Sequence, residues 1–329
     1  MQDKIAVIGG GSWGTALANL MADNGNNVRI YAIEQEVVES INNQNRNALF
    51  LNDVDLNKNI DAELIENYAG GYEKILWAVP TQYTRNTLKN IKRYLKDKSI
   101  IIATKGIEIN TGELIVEIFE EELNAELSII SGPSFAKEVA YKKPTAVSIA
   151  SKKESEAKKW QKILSSNYFR SYTTDDVIGV EVGGSMKNVI AVATGICDGL
   201  KLGNNARAGI ITRGLAEITR LGVMLGGKKE TFMGLSGMGD LVLTCTGELS
   251  RNRGVGLKIA EGYTLNDILN EMKMVAEGVF TARAAMKLSE KLKIEMPITK
   301  EVYEILYNNK NPLDSLIDLM NRPLKEEHV

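Results

Sequence analysis

Residues 4–14 read Lys4-Ile-Ala-Val-Ile8-Gly9-Gly10-Gly11-Ser12-Trp13-Gly14, a short apolar run that breaks into glycines. The run predicts a buried strand, and Gly9 to Gly14 satisfy G-x-G-x-x-G. Alone that pattern is weak, but here an amphipathic helix follows, predicted over Thr15–Asn24 and closed by Gly25 as C-terminal cap. Each glycine has a physical task. Gly9 permits the tight turn, Gly11 lets backbone approach a pyrophosphate, and Gly14 lets helix and strand pack closely. The helix N-terminus then offers N–H groups to phosphates. Glu34 falls about 20 residues after Gly14, at the end of a second predicted strand, where an acid that binds ribose belongs. The alternative is a glycine-rich turn with no ligand.

Outward from this stretch, short apolar runs alternate with helical patterns, which predicts βαβ units and a mostly parallel sheet. The predicted strands are Ile5–Ile8, Val28–Ala32, Ile75–Val79, Ser99–Ala103, Leu127–Ile130, Ala146–Ala150 and Phe169–Tyr172, with helices starting near Trp13, Gln35, Thr81, Thr111 and Glu154. Past Gly179 helical periodicity dominates to Met320. The expectation is an α/β fold: a Rossmann-like dinucleotide-binding domain over 1–178, then an all-helical substrate domain over 179–329.

Composition excludes several classes. The chain has 329 residues, 40 basic and 42 acidic side chains and a net charge of −2, so neither nucleic acid nor a membrane surface is an expected partner. No stretch approaches the roughly 18–20 consecutive apolar residues of a membrane span. Cys197 and Cys245 sit among small or apolar residues and read as buried free thiols, consistent with a reducing cytoplasm. The single histidine, His328, lies in a charged tail. A histidine base and a histidine-built zinc site are therefore not expected, and proton transfer falls to Lys, Asp, Glu, Tyr or Cys.

Two constellations lie in the helical half. Val177–Leu200 carries only three charged residues, Glu181, Lys187 and Asp198. Lys187, Thr194 and Asp198 share one helical face, with Gly183 and Gly184 one turn earlier, where missing side chains would open space for a ligand. Lys187 is either salt-bridged to Glu181 or Asp198, or desolvated enough to act as acid or base near neutral pH. The second constellation joins Asp240, in the turn Gly237-Met-Gly-Asp240, to Ser250-Arg251-Asn252-Arg253. Ser250 predicts the N-cap of a helix to about Ala260, beside which Arg251 and Asn252 could bind a phosphomonoester. The alternatives are a plain turn acid and a capped surface helix.

The chain resembles the bacterial NAD(P)-dependent glycerol-3-phosphate dehydrogenases over about residues 4–325. The carrying motifs are IAVIGGGSWGTALA (5–18), ATKGIE (103–108), ISGPSFAKEVA (130–140), GVEVGGSMKNVIAVATGICDG (179–199), RGLAEITRLG (213–222), FMGLSGMGDLVLTC (232–245), SRNR (250–253) and VAEGVFTA (275–282). The resemblance implies that Ser12, Trp13, Ala136, Val275 and Glu277 contact the cofactor. Gly132, Ser134, Asp240, Ser250, Arg251 and Asn252 fall where the family binds substrate. Lys105 reaches both ligands, Arg251 is also near the cofactor, and Lys187 is the proton acceptor. Implied too are metal-free hydride transfer between nicotinamide C4 and triose C2, a homodimer, and a role in supplying glycerol 3-phosphate for phospholipid synthesis. Ile33 departs from the family, where Arg or His is frequent. With Glu34 beside it, the reading leans to NAD(H) over NADP(H). The rivals are a β-hydroxyacid or 6-phosphogluconate-type dehydrogenase and a nucleotide-sensing protein without turnover.

Overall fold

A computed structural model describes residues 3–272, 276–324 and 326–327. Eight strands form one sheet: β1 (Lys4–Ile8), β2 (Asn27–Ala32), β3 (Ile60–Leu64), β4 (Lys74–Trp77), β5 (Ser99–Ile102), β6 (Glu126–Ser131), β7 (Thr145–Ala150) and β8 (Phe169–Thr174). Among them lie α1 (Ser12–Asp23), α2 (Gln35–Gln44), α3 (Thr81–Ile91), α4 (Ile115–Glu122), α5 (Ala136–Ala140) and α6 (Glu154–Leu164). From α7 (Val177–Gly199) on, the described residues contain helices and no strand: α8 (Asn204–Met224), α9 (Asp240–Thr246), α10 (Arg251–Ala260), α11 (Leu265–Glu271), α12 (Glu277–Leu292), α13 (Pro297–Asn308) and α14 (Pro312–Met320).

The sheet order is β3-β2-β1-β4-β5-β6-β7-β8, with Ala6 opposite Arg29 on one side and Ile75 on the other. Chain order reverses between β1 and β4, and at such a switch point the strand ends open a crevice. All pairings are parallel except β6 with β7. The seven predicted strands are present. The eighth, β3, escaped the sequence reading because two of its five residues are acidic. Asp61 and Glu63 face outward and ion-pair with Arg29, while Ile60 and Ala62 are buried.

Helix starts moved for identifiable reasons. α1 begins at Ser12, inside the glycine turn, within one residue of the start expected near Trp13 and ahead of the Thr15–Asn24 span. The helix expected near Thr111 begins at Ile115, because the Glu117 carboxylate accepts from Leu114 N at 2.7 Å and Glu181 accepts from Ile115 N and Val116 N.

One face of the sheet packs α1, α2 and α6; the other shares a continuous apolar core with α7, α12 and α13. The long apolar α7 is the central post of the helical part. By mean hydropathy, 1.2, it reaches the length and apolarity of a membrane span, contrary to the reading from unbroken runs, yet 94% of that window is buried inside the protein. Its apolarity serves the core. Both cysteines are buried free thiols, as expected.

Candidate active site

A cleft of about 970 Å³ opens at the switch point. One end is the glycine turn. Gly9 has φ +117°, and a Cβ there would lie 2.6 Å from the Ala78 carbonyl oxygen. A Cβ on Gly14 would lie 2.2 Å from Gly9 O, whereas one on Gly11 would meet nothing within 4 Å. The chain thus closes up behind Gly11 and leaves its front open. No side chain caps the N-terminus of α1 and no acid occupies its first turn, so the positive end of the helix dipole faces an external anion there. Such a cradle fits a pyrophosphate. Ser12, Trp13 and Ala136 line the same cleft, as does half-buried Glu34. Ile33, beside it, is 77% exposed.

The middle of the cleft is built on α7, whose N-cap Asp176 accepts from Gly179 N at 2.9 Å. Lys187 is buried, and neither acid of its own helix reaches it. Glu181 caps α4, and Asp198 pairs with Arg207 and Arg253. Its partner is Asp240, the first residue of α9. Asp240 Oδ1 lies 2.5 Å from Lys187 Nζ, and Oδ2 lies 2.7 Å from Lys105 Nζ. Lys105 also donates to Gly132 O (3.3 Å), and Lys187 to Thr244 Oγ1 (2.9 Å). Two cations therefore share one buried anion. Burial lowers the Lys187 pKa to about 8; Asp240 opposes the shift and Lys105 adds to it. Burial alone would raise Asp240, but the two ammonium groups hold its carboxyl below the ordinary value. A site of this charge attracts an anion, and one of its lysines can be neutral near physiological pH.

Gly183 and Gly184 have a different task from the one expected. Added Cβ atoms would lie 2.6 Å from Ser236 O and 2.4 Å from Ser131 Oγ. They let α7 press against the turn that carries Asp240 and against the end of β6. They bring partners together and do not open ligand space.

The third wall is the start of α10. Ser250 Oγ accepts from Arg253 N at 3.2 Å, the expected cap. Asn252 donates to Asn188 Oδ1 and accepts from Gly278 N, both at 2.9 Å, joining α10, α7 and α12. Arg251 keeps solvent contact at the cleft wall, and surrounding protein lowers its pKa against the opposing charge of Glu277. Burial pushes Glu277 up to about 7; its Oε1 accepts from Thr81 N at 2.9 Å.

A family model described as the N-terminus of NAD-dependent glycerol-3-phosphate dehydrogenase matches residues 4–157, and its C-terminal counterpart matches 176–317. The chain belongs to the NAD-dependent glycerol-3-phosphate dehydrogenase family. Two relatives named glycerol-3-phosphate dehydrogenase [NAD(P)+] bear this out. The one from Citrifermentans bemidjiense is 49% identical with 100% of both chains covered, and the one from Leptospira biflexa is 48% identical over 99% of this chain and 100% of its own. The crystal structure of the Coxiella burnetii glycerol-3-phosphate dehydrogenase matches with a TM-score of 0.94 at 39% identity, covering 98% of this chain and 99% of that one. D-mandelate dehydrogenase, at 15% identity and a TM-score of 0.62, shares the fold.

Against that family's expected sites, Gly9, Gly11, Ser12, Trp13, Gly14, Glu34, Lys105, Ser134, Ala136, Lys187, Ser250, Arg251, Asn252 and Glu277 line one cleft. Gly132 and Asp240 do not line it; they hold Lys105 and Lys187 from below. Val275 lies outside the described residues. The sequence reading missed Asn188 and Thr244, which also line the cleft. Thr244 was within reach of spacing, four residues after Asp240 on the same helical face. For Asn188 the signal was a polar residue beside Lys187 in an apolar helix.

Proposed function

We propose that the chain interconverts dihydroxyacetone phosphate and sn-glycerol 3-phosphate, with Lys187 moving the proton at the C2 oxygen. The supporting observation is that Lys105 and Lys187, both held by Asp240, line one cleft together with the glycine turn and the arginine-bearing start of α10. A nicotinamide cofactor held along the glycine turn and Glu34 would supply or accept the hydride. In reduction the Lys187 ammonium protonates the developing alkoxide; in oxidation the neutral amine takes the hydroxyl proton, as a pKa of about 8 permits. Lys105 stabilises negative charge on the same oxygen. Arg251 and Asn252 hold the phosphate, so remote binding energy orients C2. Gly9 to Gly14 bind the pyrophosphate and Glu34 the ribose, with NAD(H) favoured because Ile33 supplies no positive charge.

The same reading assigns cofactor binding to 1–178 and substrate binding to 179–329. It makes the protein a cytoplasmic homodimer, supplying glycerol 3-phosphate for phospholipid synthesis, with no nucleic-acid or inserted-membrane partner. The test is NADH oxidation with dihydroxyacetone phosphate against 3-oxo and 2-oxo acids. Turnover of the carboxylates in preference to the triose phosphate would overturn it in favour of a hydroxyacid dehydrogenase. Binding of NADH without turnover of either would favour a sensor.

A further inference from the structure

Asn47 lies just past α2, is fully buried, and takes no part in the chemistry above. Its Nδ2 donates to Gly10 O at 2.7 Å and to Thr15 Oγ1 at 2.8 Å. Its Oδ1 accepts from Phe50 N at 3.1 Å, and its backbone carbonyl accepts from Leu51 N at 2.9 Å. The side-chain amide therefore ties the glycine turn to Phe50, and the Asn47 main chain holds Leu51; both residues line the cleft.

The geometry has a directional consequence. A trans peptide points its C=O and the following N–H in opposite directions. With the Gly10 carbonyl held toward buried Asn47, the Gly11 N–H is turned the other way, away from Asn47, at a residue that borders the cleft. Gly10 and Gly11 have no side chains of their own to fix that plane, and the Thr15 hydroxyl that also donates to Gly10 O, at 3.3 Å, is itself held by Asn47. We infer that Asn47 is a positioning residue for cofactor binding: it sets the Gly10–Gly11 peptide so that the turn presents a donor to the pyrophosphate, and it holds Phe50 alongside. The inference rests on the dinucleotide reading of the cleft.

The experiment compares wild type with Asn47→Ala, isosteric Asn47→Asp and Asn47→Ser. NADH affinity and the inhibition constants of ADP-ribose and adenosine against NADH are measured, with KM for dihydroxyacetone phosphate and Tm alongside. ADP-ribose carries the pyrophosphate and adenosine does not. Asn47→Ala and Asn47→Asp are expected to weaken NADH and ADP-ribose by about tenfold or more and adenosine by less than about threefold, with KM for the triose phosphate within about twofold. Asn47→Ser, which keeps a short donor, is expected to recover part of the ADP-ribose loss. Equal loss for ADP-ribose and adenosine, or no loss in a folded variant, overturns the inference. Failure of the wild type itself to bind NADH would instead overturn the dinucleotide reading.

Discussion

Lys187 Nζ sits 2.5 Å from Asp240 Oδ1, although 53 residues separate the two and neither helix contributes a second charge to the pair. Lys105 completes the cluster from the strand side, so α7, α9 and the segment after β5 converge on one carboxylate. Lys187→Ala removes the lysine whose pKa burial lowers to about 8. Turnover should fall by about 10²–10⁴, the usual range for a general acid–base group, while NADH still binds. Initial rates with a parallel NADH titration decide this, and activity near wild type would refute the role.

The pH dependence follows with a definite sign. Reduction needs the Lys187 ammonium, so kcat/KM for dihydroxyacetone phosphate should fall as pH rises through about 8. Oxidation needs the neutral amine and should rise through the same range. Asp240 raises the Lys187 pKa, so Asp240→Asn should move both transitions to lower pH. Rates in both directions from pH 6 to 10 test it; transitions that stay in place in that variant would count against Lys187 as the titrating group.

Arg251 is expected to read the phosphate. Arg251→Ala should cost about 2 kcal/mol or more in kcat/KM with dihydroxyacetone phosphate, roughly 30-fold. Unphosphorylated dihydroxyacetone should be far less affected. Equal damage to both substrates would point to the cofactor or to the fold.

Cofactor choice turns on Glu34 and Ile33. A carboxylate at the ribose 2′ position accepts from a hydroxyl and repels a phosphate dianion, a juxtaposition softened by solvent at an open site. NADH should exceed NADPH in kcat/KM by at least about tenfold, ~1.4 kcal/mol, and Ile33→Arg should narrow the ratio. Initial rates with both cofactors at saturating triose phosphate measure it. Equal efficiency would mean that other basic groups hold the 2′-phosphate.

Close packing of α7 gives a stability test. Gly183→Ala places a methyl 2.6 Å from Ser236 O, backbone that cannot rotate away. Forced shifts of this kind cost about 1–3 kcal/mol, and the turn leading to Asp240 takes the displacement. Denaturant unfolding should show the loss, together with reduced turnover. A variant of unchanged stability and rate would show that the helix has slack there.

The sequence by itself determined the architecture and the glycine turn that forms one end of the cleft, because those depend on local rules. A glycine fingerprint between strand and helix, the period of apolar residues, and Ser250 as a cap are all set within a few residues of chain. β3 was lost where two outward acids in five residues masked its alternation. A lone lysine in an apolar helix was legible as unusual, but its partner was not. The sequence offered Glu181 and Asp198 as the only acids of that stretch, and both were claimed by other elements: the N-terminus of α4 and the arginines of α8 and α10. Only tertiary structure decided that Asp240 lies between two lysines, that Gly183 and Gly184 exist to let that happen, and that Asn47 faces Gly10. The physical reason is range. Capping and periodicity act between neighbours along the chain, whereas desolvation and ion pairing depend on which elements pack together.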